Sequence, residues 1–278
     1  MSRNKTLLYL VFAVILIGVH LLFNLFQVSK VNQSWAQITF WFGAVVACLT
    51  IFFTCKKIKD KLKLNSETMP PETDNIHLKK YAETILDWVS FLSLSLMFIL
   101  FFFTYFILPT NIKGSSMAHT LRNGDRVLMY HFMYQPKRDD IVIVNITDHY
   151  FDEDGNQVNK SPDYRNQSEV YFVKRIVAIP GDHIEFVYLN DLDEYHIKIN
   201  GTLYENRYGE TYRIRPAGKD KMLLDLDENN HLKAGLYFAF GDNERFSFDS
   251  RAIGAVSEED LIGKAIFKLS PWGRIQNE

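Results

Sequence analysis

The chain has 278 residues, 47% of them hydrophobic and 23% charged, with 31 Lys and Arg against 33 Asp and Glu. Residues 1–110 hold ten Lys/Arg against six Asp/Glu and the remainder holds 21 against 27; the mildly acidic balance of the larger part argues against a nucleic-acid partner. The two cysteines, Cys48 and Cys55, both precede residue 110, so the larger part has no disulfide, thiol nucleophile or cysteine-bound metal.

Three apolar runs, Thr6–Val28, Trp35–Cys55 and Trp88–Leu108, carry no charged side chain. Each matches the roughly 20 residues that a helix needs to cross a bilayer, and the sequence predicts three membrane helices, about 6–28, 35–55 and 88–108. A cleaved signal peptide is the rival reading of the first run, but its apolar stretch is too long and lacks a small-residue cleavage site. His20 and Asn24 lie inside it, and polar groups there must find partners. Cys48 and Cys55 fall on one helix face in the second run, where packing is the expected role.

Lys56, Lys57, Lys59, Lys61, Lys63, Lys79 and Lys80 crowd the segment 56–87, whereas the loop Ser29–Ser34 has only Lys30. Basic loops stay in the cytoplasm, so the N-terminus, with Arg3 and Lys5, is predicted to lie inside. An odd number of spans then puts everything after Leu108 on the extracytoplasmic face. "NSETMPPETDN", within 56–86, reads as a turn or linker.

The rest, 111–278, reads as a β domain. "DRVLMYHF" (125–132), "DIVIVNI" (140–146), "VYFVKRIVAI" (170–179), "HIEFVYL" (183–189), "YHIKING" (195–201), "GLYFAFGD" (235–242) and "GKAIFKL" (263–269) are rich in β-branched and aromatic residues and bounded by turn residues. No amphipathic helix separates them, which favours antiparallel sheets. "SEEDL" (257–261) suits one helical turn. Two polar stretches, 147–169 and about 218–234, read as loops or insertions; "DEDGN" in the first lacks a calcium-loop spacing.

"GSSMAHTL" (114–121) lies just past the third run. A serine there needs a base, either histidine or an unprotonated lysine. His119, His131, His149, His183, His196 and His231 sit in stretches that otherwise carry no sign of a site. Lys174 sits in "VYFVKRIVAIPGD", a strand apolar enough to be buried on both faces. Alternation sends Lys174 and Arg175 to opposite faces. Arginine keeps its proton, so Lys174 is the member able to enter neutral. Burial depresses a lysine pKa by as much as about 3–5 pH units, and a fall of about 3 from 10.4, roughly 4 kcal/mol, reaches working pH.

In order, "GSSM", "TLRNGDRVLM", "KRDDIVIV", "VKRIVAIPGD" and "GDNERFSFDSR…GAV…LIGKA" resemble the boxes of bacterial type I signal peptidases, membrane-anchored Ser/Lys proteases that remove signal peptides. The likeness covers about 106–270. It implies Ser116 as nucleophile and Lys174 as general base. Ser247 matches the serine that holds the lysine, and Asp249 with Arg251 a bracing salt bridge. Some relatives carry a serine, assisting the oxyanion, where this chain has Gly114. Oxyanion binding therefore rests on the Ser116 backbone N–H. Met117, Gly241, Asp242 and Asn243 are candidate substrate-binding positions, the last three starting their box as a tight turn. "NERFS" stands where many relatives have "NRDNS" and alters the charge nearby.

The resemblance implies no cofactor and no metal. Its substrates are exported preproteins with small residues one and three places before the cut, the peptide adding as a strand to a sheet edge. The bilayer is the other partner. The alternative is a catalytically inactive membrane-anchored β module, which has no reason to keep Ser116, Lys174 and Ser247 together. Soluble self-cleaving Ser/Lys repressors lack membrane spans, and a Ser/His hydrolase is the remaining alternative.

Overall fold

The computed structural model describes residues 3–25, 37, 40–45, 47–49, 51–52, 55–56, 74–145, 171–189, 192–206, 208–270 and 272–275. It divides into two compact units at Phe106/Ile107.

The first unit holds α1 (Arg3–Leu25), helical residues between 37 and 56, and α2 (Asp74–Tyr105). Among the described residues one helix, Asp87–Tyr105, is long and apolar enough to cross a membrane; Val11–Asn24 and Phe40–Leu49 are shorter apolar helices. The third apolar run thus ends sooner than predicted, because Ile107 and Leu108 belong to a strand. Ala13, Leu16, Phe40, Ala44, Met97, Phe101 and Tyr105 form this unit's core. His20 is fully buried, with Nδ1 3.0 Å from the Tyr105 hydroxyl and Nε2 3.0 Å from Asn24 Nδ2. The polar groups of the first run are therefore satisfied by each other and by Tyr105 of α2. Cys48 and Cys55 are exposed rather than packed. The buried stripe runs Phe40, Ala44, Ala47, Ile51, and Cys48, one residue past Ala47, points roughly 100° away from it.

The second unit is mainly antiparallel β. Its larger sheet has the order β1 (Ile107–Asn111), β2 (Arg126–Tyr130), β10 (Leu261–Ser270), β3 (Ile141–Asn145), β4 (Tyr171–Ala178), β8 (Leu236–Phe240), β9 (Val256–Ser257), with β11 (Trp272–Arg274) on β10. A smaller sheet joins β5 (Ile184–Leu189), β6 (Glu194–Ile199) and β7 (Thr202–Leu203). All seven predicted strand segments form strands. "SEEDL" makes a 3-10 turn over Glu258–Asp260, closed by a reciprocal Ser257–Asp260 capping box.

Strand β4 is covered on both faces. Phe172 and Ile176, in phase with Lys174, pack with Val142, Val144, Ala239 and Val256. Val173 and Val177, in phase with Arg175, join two other clusters, with Met117, Leu121 and Ile141, and with Ile184, Phe238 and Phe240. This double cover gives the strand its nearly unbroken apolar sequence.

The stretch 218–234, predicted as a loop or insertion, lies against the core instead. Pro216–Leu224 is helix α3, and Met222, Leu226 and Leu232 are buried. Three apolar side chains among many polar ones anchor it. A further short helix, α4, spans Ser250–Ile253. The other predicted insertion, 147–169, including "DEDGN", falls outside the described residues, as do residues 57–73 of the predicted loop 56–87, whose part from Asp74 onward is helical and begins α2.

Candidate active site

The chain leaves β1 and returns in β2 through a loop closed at its neck by Ile112 N–H to Asp125 O (2.8 Å) and Gly124 N–H to Ile112 O (2.9 Å). Gly114 has φ +92°, a left-handed conformation that strains any other residue, and its N–H donates to Asn123 Oδ1 at 3.1 Å. Ser116 follows, half-buried. The chain then winds back, Ala118 N–H bonding Ser115 O and Leu121 N–H bonding Met117 O. Met117, 1% exposed, packs with Ile112, Leu121 and Val127. It therefore anchors the loop from inside rather than facing substrate.

Lys174 is 4% exposed at the centre of β4, opposite Val142 on β3. Its Nζ lies 3.1 Å from Ser247 Oγ and 5.0 Å from the Phe172 ring centroid. Burial pulls its pKa from the ordinary 10.5 down to about 8; Asp249 and Asp242 oppose the fall and Arg251 assists it. Asp249 accepts two charge-assisted bonds from Arg251, Nε to Oδ1 and Nη2 to Oδ2, each 2.9 Å. Burial alone would raise the Asp249 carboxyl, but the Arg251 charge prevails and holds it below the usual carboxylate range. Arg251 also meets Glu244 at 3.4 Å, and Glu244 meets Arg213 at 3.3 Å. Glu244, the altered charge of "NERFS", is thus absorbed by two arginines.

The two halves of the site meet at Gly241. A Cβ there would lie 2.2 Å from Ser247 Oγ and 2.5 Å from Ser116 O, so those two oxygens are separated by no more than the sum of these distances. Only glycine permits that approach. The Gly241 N–H donates to Asp249 Oδ2 at 3.0 Å. Asn243 completes the clasp, its N–H donating to Ser116 O (2.9 Å) and its Nδ2 to Ser115 O (3.0 Å). Gly241 and Asn243 therefore hold the serine loop through its main chain.

Asp242 differs from its expected role in a substrate-binding turn. It is fully buried and accepts Arg175 Nε on Oδ1 and Arg175 Nη2 on Oδ2, each at 2.8 Å. Arg175 Nη1 donates to Asp139 O at 2.8 Å, and the Thr120 hydroxyl donates to Asp242 Oδ2. Lys174 and Arg175 are therefore both buried, the ammonium of one disfavoured by its surroundings and the guanidinium of the other paired. Sequence reasoning missed Arg175, Thr120 and the carboxylate role of Asp242. The apolarity of β4 on both faces was the available signal, since it demanded a partner for the arginine too.

The histidines have other neighbours. His119 is exposed with its ring 4.9 Å from Tyr208, His131 is 2% exposed, and His183 lies 5.3 Å from His231. His149 falls outside the described residues. Among the described residues no group of three or more His, Cys, Asp or Glu is placed to hold a metal ion.

Comparison with known proteins identifies the family. The family described as signal peptidase, peptidase S26, matches residues 85–272. Signal peptidase IB of Staphylococcus aureus (strain COL) is 28% identical over 207 residues, covering 69% of this chain and 93% of its own. Signal peptidase I P of Bacillus subtilis subsp. natto is 26% identical over 208 residues, covering 72% and 96%. A crystal structure of a signal peptidase I from Enterococcus faecalis V583 aligns with 47% of this chain and 97% of its own at 20% identity and a TM-score of 0.28, too low to bear on the fold. The family match spans most of the chain and both halves of the site: the chain belongs to the signal peptidase family, peptidase S26, and is a serine peptidase that removes signal peptides.

Proposed function

We propose that Ser116 is the nucleophile and that Lys174, as a neutral amine, is its general base. The observation that carries this reading is the buried Lys174 amine bonded to Ser247 Oγ, on a hydroxyl that shares the Gly241 contact with the Ser116 main chain. Magnitudes favour lysine. With a pKa of about 8, about a tenth of the amine is neutral at pH 7; at an ordinary lysine value the fraction is about one in a few thousand.

Ser116 Oγ attacks the scissile carbonyl as its proton passes to Lys174 Nζ. The developing oxyanion is met by the Ser116 N–H, which has no hydrogen-bond partner among the described residues. Lys174 then returns the proton to the leaving amine, releasing the mature protein. Water, deprotonated by the same amine, opens the acyl-enzyme and frees the signal peptide. Ser247 holds the amine in place, and Asp249 with Arg251 braces that segment. Gly114 offers no hydroxyl to the oxyanion.

Substrates are exported preproteins with small residues one and three places before the cut. Three membrane spans anchor the enzyme, with the N-terminus cytoplasmic and the catalytic unit extracytoplasmic. The apolar helices Val11–Asn24, Phe40–Leu49 and Asp87–Tyr105 and the lysine-rich segment after Cys55 support this arrangement. The test is cleavage of a model preprotein by full-length enzyme in lipid. Ser116→Ala and Lys174→Ala are each expected to leave it uncut while remaining folded. Wild-type turnover by either variant contradicts the assignment.

A further inference from the structure

The segment "ERFSFDSR" places Phe246 and Phe248 on either side of Ser247, and both are exposed, 71% and 43%. Phe248 stands edge-on to Phe172, ring centroids 6.4 Å apart at 84°, and the Phe172 ring lies 5.0 Å from Lys174 Nζ. Phe248, Phe172 and Lys174 line one small depression with Val144, Ile253 and Val256. Of the residues lining it, Phe248 alone is exposed, so it forms the outer wall between the amine's surroundings and solvent.

The charged groups acting on Lys174 are Asp249, Asp242 and Arg251, two favouring the ammonium and one opposing it. Both carboxylates are already ion-paired, Asp249 with Arg251 and Asp242 with Arg175. The attraction of the Phe172 ring for a cation also favours the ammonium. Exclusion of water is the largest force that favours the free amine, with a smaller assist from Arg251.

We propose that Phe248 acts through Lys174, as the outer wall that keeps water from the amine and so sets the pH range in which the peptidase works. This inference rests on Lys174 being the general base. The test is the pH dependence of kcat/KM, from about pH 6 to 11, for full-length enzyme in lipid cleaving a model preprotein. Opening the wall lets water solvate the ammonium, which raises the amine's pKa. Phe248→Ala and Phe248→Gln are therefore expected to move the acid limb alkaline by about one pH unit while approaching the wild-type plateau at high pH. Phe248→Leu, which keeps an apolar cover, is expected to leave the limb in place. A limb unmoved in both Ala and Gln variants, whatever happens to KM or the plateau, overturns the wall. A wild-type profile without a lysine-like limb, or an active Lys174→Ala enzyme, overturns the base reading and the wall together.

Discussion

Lys174 Nζ and Ser247 Oγ lie 3.1 Å apart, joining β4 to the loop after β8. The bond fixes the rotamer of a long side chain whose free end has to meet the Ser116 hydroxyl. Losing one such bond is worth about 1–1.5 kcal/mol, so Ser247→Ala is expected to lower kcat about tenfold with little change in KM. Steady-state kinetics on a preprotein check this.

Keeping Lys174 buried costs stability. Its pKa falls from 10.5 to about 8, equivalent to about 3 kcal/mol at neutral pH. Below pH 8 the lysine is charged in both folded and unfolded chains, so the cost is full there. Between about 8 and 10.5 the folded chain has lost its proton while the unfolded chain keeps it, and stability rises with pH. Lys174→Met is thus expected to be inactive yet more stable by about 3 kcal/mol at pH 7, the gain vanishing near pH 10.5. Denaturant unfolding in detergent across that range is the check.

Gly241→Ala and Gly114→Ala separate two kinds of glycine. A Cβ at Gly241 collides with Ser247 Oγ and the Ser116 carbonyl, which is expected to cost about 1–3 kcal/mol and most of the activity. At Gly114 the Cβ meets nothing within 4 Å, and the strain comes from φ +92° alone, about 1 kcal/mol. Unfolding midpoints and turnover for the two variants make the comparison.

The Arg175–Asp242 pair is buried, its side chains 4% and 0% exposed. Removing one partner leaves a buried charge, so Arg175→Met and Asp242→Leu are each expected to destabilise by about 3–5 kcal/mol. The double variant recovers part of that loss, because neither charge remains. A double-mutant cycle in denaturant measures the coupling.

The strands were legible because each carries its own period and ends in turn residues. Strand β1 was not: Ile107 and Leu108 continue the apolar run of α2, and composition cannot mark where helix becomes strand. Helix α3 was hidden for the opposite reason, since Met222, Leu226 and Leu232 are too few to outweigh their polar neighbours. At the site, Ser116 and Lys174 could be named from their boxes, and the inward turn of Lys174 followed from β4's apolarity. The partner of Arg175 lies 67 residues away, and no local pattern points to so distant a carboxylate. Met117 looked available beside the nucleophile, but its burial depends on Ile112, Leu121 and Val127 closing around it.

That Lys174 sheds its proton near pH 8 rather than near 10.5 can be read from the amine itself, by an NMR titration of 15N-lysine-labelled enzyme. The Lys174 signal is identified by its loss in Lys174→Met. A midpoint near 8 is the expected result, whereas a midpoint at or above about 10, the range of a solvated lysine, contradicts the account.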